Sequence, residues 1–150
     1  QAAEQVCREV RHATVLRCIL QYQDRIVGYF VLDPEPAEAD SARYLAQGIR
    51  LRARQDFAFA ASVAEAQQGS GLASSAMPHL LRAVVDRGAR SLVLMGGVQD
   101  TNAPALAFFR KWGFVSHAGY RTHTFQHDMR LVVDADACRE EAPVARPPLQ

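Results

Sequence analysis

The chain has 150 residues, a formal net charge of +1, 49% hydrophobic and 22% charged residues. That balance fits one soluble globular domain and argues against bulk electrostatic attraction to nucleic acid. No apolar run is long enough to span a bilayer and no signal-peptide pattern opens the chain, so a membrane partner is not expected.

Cys7, Cys18 and Cys138 are odd in number and widely spaced, which suits a reducing compartment better than a disulfide framework, and a cytoplasmic location is expected. The first residue is Gln1, consistent with a fragment or a processed product. Residues 1–11 read as the end of a helix through Ala3, Val6, Cys7 and Val10. Residues 13–22 are rich in β-formers, Gln23-Asp24 makes a turn, and residues 25–32 return as the second strand of a hairpin. Pro34 and Pro36 end it, since proline cannot donate to a ladder.

Residues 37–47 suit a short helix with Ala39, Ala42, Tyr44 and Leu45 loosely on one side. From Ile49 the pattern alternates through Leu51, Ala53, Gln55, Phe57, Phe59, Ala61 and Val63, which predicts one long strand. Arg50, Arg52, Arg54 and Asp56 then fall on its other face. The arginines read most simply as a solvated face, with a docking surface for an acidic substrate as the alternative.

Gln68-Gly69-Ser70-Gly71-Leu72-Ala73 lies between that strand and an apolar helical stripe of Leu72, Met77, Leu80, Leu81, Val84 and Val85. A glycine turn entering a helix leaves backbone N–H groups unpaired at the positive end of the dipole, which suits a phosphate or pyrophosphate. The plainer reading is a strand–turn–helix connection with glycines for tightness. The helix is predicted to run to about Arg87, with Gly88 after it and Pro78 as a kink inside it.

Ser91–Met95 reads as a short buried strand followed by Gly96-Gly97. Asp100, Thr101 and Asn102 offer N-caps for a helix over Ala103–Trp112 that ends at Gly113, with Pro104 harmless in its first turn. Residues 114–120 and 123–133 read as closing strands. Residues 1–133 are expected to form a single domain, and residues 134–150, polar and bearing Pro143, Pro147 and Pro148, a disordered tail. His123 and His127 would sit ~13 Å apart on a strand, too far to share a metal, and read as half-buried sheet residues. No metal site is expected.

Gln68-Gly69-Ser70-Gly71-Leu72-Ala73 resembles the Q/R-x-x-G-x-G/A motif of the GNAT acetyltransferase superfamily, with Ala73 in the last place. The stretch from Asn102 through Phe108-Phe109 to Gly113-Phe114 is similar to that family's second signature, an Asn, then an Ala, then an aromatic pair and Gly-Phe. The resemblance covers roughly residues 12–133. It implies an α/β fold with a mixed, mostly antiparallel central sheet flanked by helices, with acetyl-CoA as co-substrate in a splay between two central strands. The family's usual first strand and helices, which form much of the acceptor pocket, look short or missing here. If the chain is a fragment, its first strand is expected to show an unpaired edge or to pair with another chain.

The resemblance places the pantetheine arm against the backbone of Ala61, Ser62 and Val63. It places the pyrophosphate on the amides of Gln68, Gly69, Ser70, Gly71, Leu72, Ala73 and Ser74. Asn102 matches a position that touches the pantetheine end and also reads as a helix N-cap; the two roles are compatible. Phe109 is a core residue that also lines the thioester end. The family's usual acid is a tyrosine at Phe109, and its common strand carboxylate matches Gln55. Asp56 and Glu65 are the carboxylates left to serve as general base, each with a plainer structural or solvated reading.

The expected activity is therefore direct acetyl transfer from acetyl-CoA to a primary amine of a small molecule or peptide, with a homodimer as one assembly. The alternative, from another class, is a non-catalytic acyl-CoA-binding module that senses or regulates. A nucleotide-binding domain is disfavoured, because the turn lacks the Lys-Ser/Thr of a phosphate-binding loop.

Overall fold

The computed structural model describes residues 8–12, 15–63 and 71–134. The element order is β1 (Arg8–His12), β2 (Val15–Tyr22), β3 (Arg25–Asp33), α1 (Glu38–Ala46), β4 (Asp56–Val63), α2 (Leu72–Asp86), β5 (Ser91–Leu94), β6 (Val98–Gln99), α3 (Ala103–Lys111), β7 (Val115–Arg121) and β8 (Phe125–Val132). The strands form one eight-stranded sheet in the order β1-β2-β3-β4-β5-β8-β6, with β7 also paired to β8. Only β4 and β5 run parallel; the other pairs are antiparallel. This is the mixed, mostly antiparallel α/β sheet that the motifs imply.

The hairpin of β2 and β3 turns through Gln23 and Asp24, at φ 48° and 60°. Two left-handed residues match the twist of the flanking strands, which is why a two-residue loop suffices. The helix expected over residues 1–11 is corrected in its described part: Arg8–His12 is a strand, antiparallel to Val15–Ile19. Five residues cannot sustain a helix in isolation, whereas the edge of β2 offers them a ready ladder. That pairing also covers the β2 edge with the chain's own residues, where a fragment was expected to leave it unpaired or paired by another chain. Residues 1–7 lie outside the described residues, as does the tail expected beyond Asp134.

The strand expected from Ile49 begins only at Asp56. Residues 52–55 form a turn instead, with the N–H of Asp56 donating to the Arg52 carbonyl at 2.8 Å and Arg54 at φ 67°. The Asp56 carboxylate holds the turn closed by accepting from the Arg52 N–H at 2.7 Å. Alternation in this arginine-rich stretch was therefore incidental, and Arg50, Arg52 and Arg54 do not form a strand face.

Two helices pack on one face of the sheet. Phe30, Leu32, Phe57, Phe59, Leu92, Leu94 and Met129 share a buried cluster with Met77, Leu80 and Val84 of α2 and Leu106 and Phe109 of α3. Residues of opposite parity, such as Ala58, Val93 and Asp128, point to the other face. There α1 lies, with buried Tyr44 and with Arg43 bonded to Asp128. α2 runs continuously through Pro78 and stops at Asp86, with Gly88 at φ 83°. His123 is exposed in the β7–β8 turn, which corrects its expected half-burial on a strand; His127 is half-buried on β8 as expected. The short strand β6 was not foreseen.

Candidate functional site

The parallel pair β4 and β5 runs in register from Asp56↔Ser91 to Phe59↔Leu94. The N–H of Met95 then makes one more bond to the Phe59 carbonyl, at 2.9 Å. Beyond it β4 continues to Val63 with β3 alone opposite. β5 instead leaves through Gly96 and Gly97, at φ 67° and 75°. A Cβ on Gly97 would also stand 2.7 Å from the His127 carbonyl oxygen, so no other residue fits there. The two strands therefore part as a wedge at their C-terminal ends, where parallel strands commonly receive ligands.

Backbone parity says what faces the wedge. The Gln55 carbonyl accepts from the N–H groups of Arg90 and Ser91, and that of Phe59 from Met95, the residue after β5. Ala61 shares their parity, so its N–H and C=O point toward the gap that β5 has vacated. The side chains of Ala61 and Ser62 are exposed and that of Val63 is half-buried.

The second feature is the start of α2. Gly71 is its N-cap at φ 84°, no side chain caps it, and its first turn carries no acid. The first intrahelical bond runs from the Ser75 N–H to the Gly71 carbonyl at 3.0 Å. The amides of Ala73 and Ser74, on the turn before, thus have no acceptor within the helix. A Cβ on Gly71 would meet nothing within 4 Å, so what glycine supplies at this position is the left-handed turn. Glu65, Gln68, Gly69 and Ser70 lie outside the described residues.

α3 begins beside β6. The Asn102 side chain caps it, accepting from the Ala105 N–H at 3.2 Å, so the capping half of its expected role is present. Phe109 is 9% exposed. Its ring lies 5.3 Å from those of Phe108 and Phe114 and 6.3 Å from that of Phe59, the last β4 residue paired with β5. These rings form one aromatic cluster on the α2–α3 face of the sheet, against the end of the β4–β5 pairing.

Asp56 stands at the opposite end of β4, about 16 Å of strand away from Ala61. It is 0% exposed. Arg90 reaches it through Nη2 at 2.7 Å and Nε at 3.1 Å, and Arg130 Nη2 at 3.1 Å. Ser91 Oγ and the Arg52 N–H also donate to it. Burial pushes its pKa up, but the hydrogen bonds from Arg90, Ser91, Arg52 and Arg130 outweigh that and hold it below the usual carboxylate value.

Two further polar groupings have no counterpart in the motifs. On the α1 face, Arg43 bridges Asp40 and Asp128 and lies 3.9 Å over the Tyr120 ring. His117 stands nearby, its ring 5.7 Å from that of Tyr44; burial, then the charge of Arg130, lower its pKa, against Asp128. On the α3 face, His127 Nε2 meets Asp100 Oδ1 at 2.6 Å and its Nδ1 meets Ser116 Oγ at 3.2 Å. Their members are scattered between residues 40 and 130, so no local spacing announces them. Among the described residues no cluster could hold a metal, and no helix is long and apolar enough to cross a membrane.

Comparison with known proteins matches residues 2–114 to the model of the Acetyltransferase (GNAT) family. No match to a curated protein was found. Among solved structures, the GNAT domain of PAT from S. lividans is similar at TM-score 0.63 and 16% identity, over 82% of this chain and 64% of that one. yncA of Salmonella typhimurium, solved with its cofactor acetyl-CoA, is similar at TM-score 0.61 and 18% identity, over 88% of this chain and 70% of that one. A ribosomal-protein-alanine N-acetyltransferase of Brucella melitensis is similar at TM-score 0.60 and 17% identity, over 79% of this chain and 69% of that one. The chain thus spans somewhat less than two-thirds of the first of these. At such identities the likeness is one of fold.

Proposed function

The chain belongs to the acetyltransferase (GNAT) family, and from that premise we propose that it is an acetyl-CoA-dependent N-acetyltransferase. Its acceptor is a primary amine of a small molecule or peptide, acetylated by direct transfer. The observation that carries this reading is the β4–β5 wedge, together with an α2 N-terminus that has neither a side-chain cap nor an acid in its first turn.

Acetyl-CoA supplies the activated acetyl thioester, and the residues present suit it. The amides of Ala73 and Ser74, with those of residues 68 to 72, would hold the pyrophosphate at the positive end of α2. The outward N–H and C=O of Ala61 would pair with the amides of the pantetheine arm, as an added strand pairs with an edge. Phe109, with buried Phe59 and Phe114 packed against it, would give that arm an apolar floor. Asn102, which caps α3, is the residue that the family signature would bring to the end of the pantetheine arm.

Asp56 we assign to structure rather than to chemistry. Its oxygens are taken by cationic donors and it lies at the far end of β4. Glu65 is then the remaining carboxylate weighed as general base, and Glu65→Gln tests it. The ribosomal-protein-alanine enzyme among the similar folds supports including peptides with an N-terminal alanine among the acceptors tried.

Thiol release from acetyl-CoA across a panel of amines and peptides tests the reading. Turnover with any acceptor supports it. Tight acetyl-CoA binding with no turnover on any acceptor would favour the second reading, a non-catalytic acyl-CoA-binding module, which the absence of a hydroxyl at Phe109 also favours. Failure to bind acetyl-CoA would overturn both.

A further inference from the structure

Gly96 is the residue at which β5 departs from β4, and both of its backbone polar groups are taken by side chains. Its N–H donates to Asp40 Oδ2 at 3.2 Å, from α1. Its carbonyl accepts from the Tyr120 hydroxyl at 2.7 Å, from β7. It directly follows Met95, whose N–H makes the last bond to β4. The peptide that would otherwise carry β5 onward along Ala61 and Val63 is thus gripped from the opposite face of the sheet.

The gripping groups are themselves fixed. Asp40 is 3% exposed and its other oxygen accepts from Arg43. Arg43 reaches both oxygens of fully buried Asp128, at 2.9 and 3.1 Å, while its guanidinium covers the Tyr120 ring. One cation therefore orients both side chains that hold Gly96. A strand end at a surface needs only water for its last N–H and C=O, and a paired, buried polar network is costly to leave incomplete.

We propose that Asp40, Arg43 and Tyr120 are positioning residues that hold the β4–β5 wedge open for the pantetheine arm; this rests on the acetyl-CoA reading above. Without the grip, Gly96 and Gly97 have the conformational freedom to follow β4 and occupy the backbone edge at Ala61. The grip acts on the wedge and not on the α2 N-terminus, so it should distinguish two ligands. Acetyl-CoA carries a pantetheine arm; ADP carries the same pyrophosphate without one.

The test compares binding of acetyl-CoA and ADP to wild type and to Tyr120→Phe by calorimetry. Tyr120→Phe keeps the ring beneath Arg43 and removes one grip on Gly96. Loss of one hydrogen bond predicts acetyl-CoA binding about 5- to 10-fold weaker, with ADP binding unchanged. Asp40→Ala should give a similar loss, and Asp40→Asn, which keeps an acceptor oxygen, should recover most of it. Unchanged acetyl-CoA affinity in Tyr120→Phe, with wild type binding tightly, overturns the clamp alone. An equal loss for both ligands also overturns it, because that marks general destabilisation. Wild type that binds neither ligand overturns the clamp together with the acetyl-CoA reading.

Discussion

Asp56 and Arg90 form a buried ion pair, 2.7 Å from Nη2 to Oδ2, at the point where the parallel strands β4 and β5 begin. Arg90 also donates to the Arg50 carbonyl at 3.0 Å, so one guanidinium ties the turn before β4 to the entrance of β5. The wedge opens at the other end of the same two strands. Fixing the pair where they start lets them separate where they finish without the sheet coming apart.

Removing one partner of such a pair leaves an uncompensated buried charge, so Asp56→Ala should destabilise the fold by about 3–5 kcal/mol. Urea denaturation measures this. A loss under about 1 kcal/mol with turnover abolished would instead place Asp56 in the chemistry.

The same residue sets an acid limit. Its folded pKa lies below the unfolded value. Its contribution is therefore fully present above the unfolded carboxylate range and is lost as pH falls through the folded pKa. Stability of the wild type should decline below about pH 4. The gap in stability between wild type and Asp56→Asn should narrow over that range, and a gap independent of pH would contradict the assignment.

Gly71→Val tests the anion site. With φ at 84°, any side chain there strains the backbone, by about 1–2 kcal/mol. The informative measurement is the rise in melting temperature on adding acetyl-CoA, which reports binding to the folded state only. Wild type should show the rise and Gly71→Val should not. A variant that is less stable but is still raised as much by acetyl-CoA would move the pyrophosphate away from α2.

Phe109→Tyr asks whether the missing hydroxyl matters. The ring sits among Phe59, Phe108 and Phe114. If its edge reaches the thioester, turnover should rise, by no more than the roughly 10²–10⁴-fold of general acid catalysis, with acetyl-CoA affinity unchanged. If the hydroxyl is sealed in the cluster without a partner, the fold should lose about 1–3 kcal/mol and turnover should not rise.

Tyr44 is 0% exposed, and its hydroxyl has no hydrogen-bond partner among the described residues. Burial, the largest influence, raises its pKa, so the phenol stays neutral. Tyr44→Phe removes an unsatisfied group while keeping the ring against His117. It should stabilise the protein by about 1 kcal/mol. A lower denaturation midpoint would mean that the hydroxyl is bonded after all.

Where neighbours in the chain decide the outcome, the residues alone are informative. The Gln23-Asp24 turn, the cap at Asn102, the left-handed glycines Gly88 and Gly113 and the apolar stripe of α2 depend on backbone preferences and spacings within a few residues. The two family signatures belong with these, since each is a pattern within one short stretch of chain. Residues 49–55 and Arg8–His12 are different. Both have patterns too weak to choose a structure, and the choice fell to Asp56 closing a turn and to β2 offering an edge.

Local patterns along the chain were enough to give the order of strands and helices through its centre and the family signatures. Packing settled what Asp56 does, because Arg90 and Arg130 reach it from 34 and 74 residues away. It alone joined Asp40 and Tyr120 on the backbone of Gly96, at separations of 56 and 24 residues. A charge's role depends on which partners share its burial, and those partners are assembled by packing rather than by proximity along the chain.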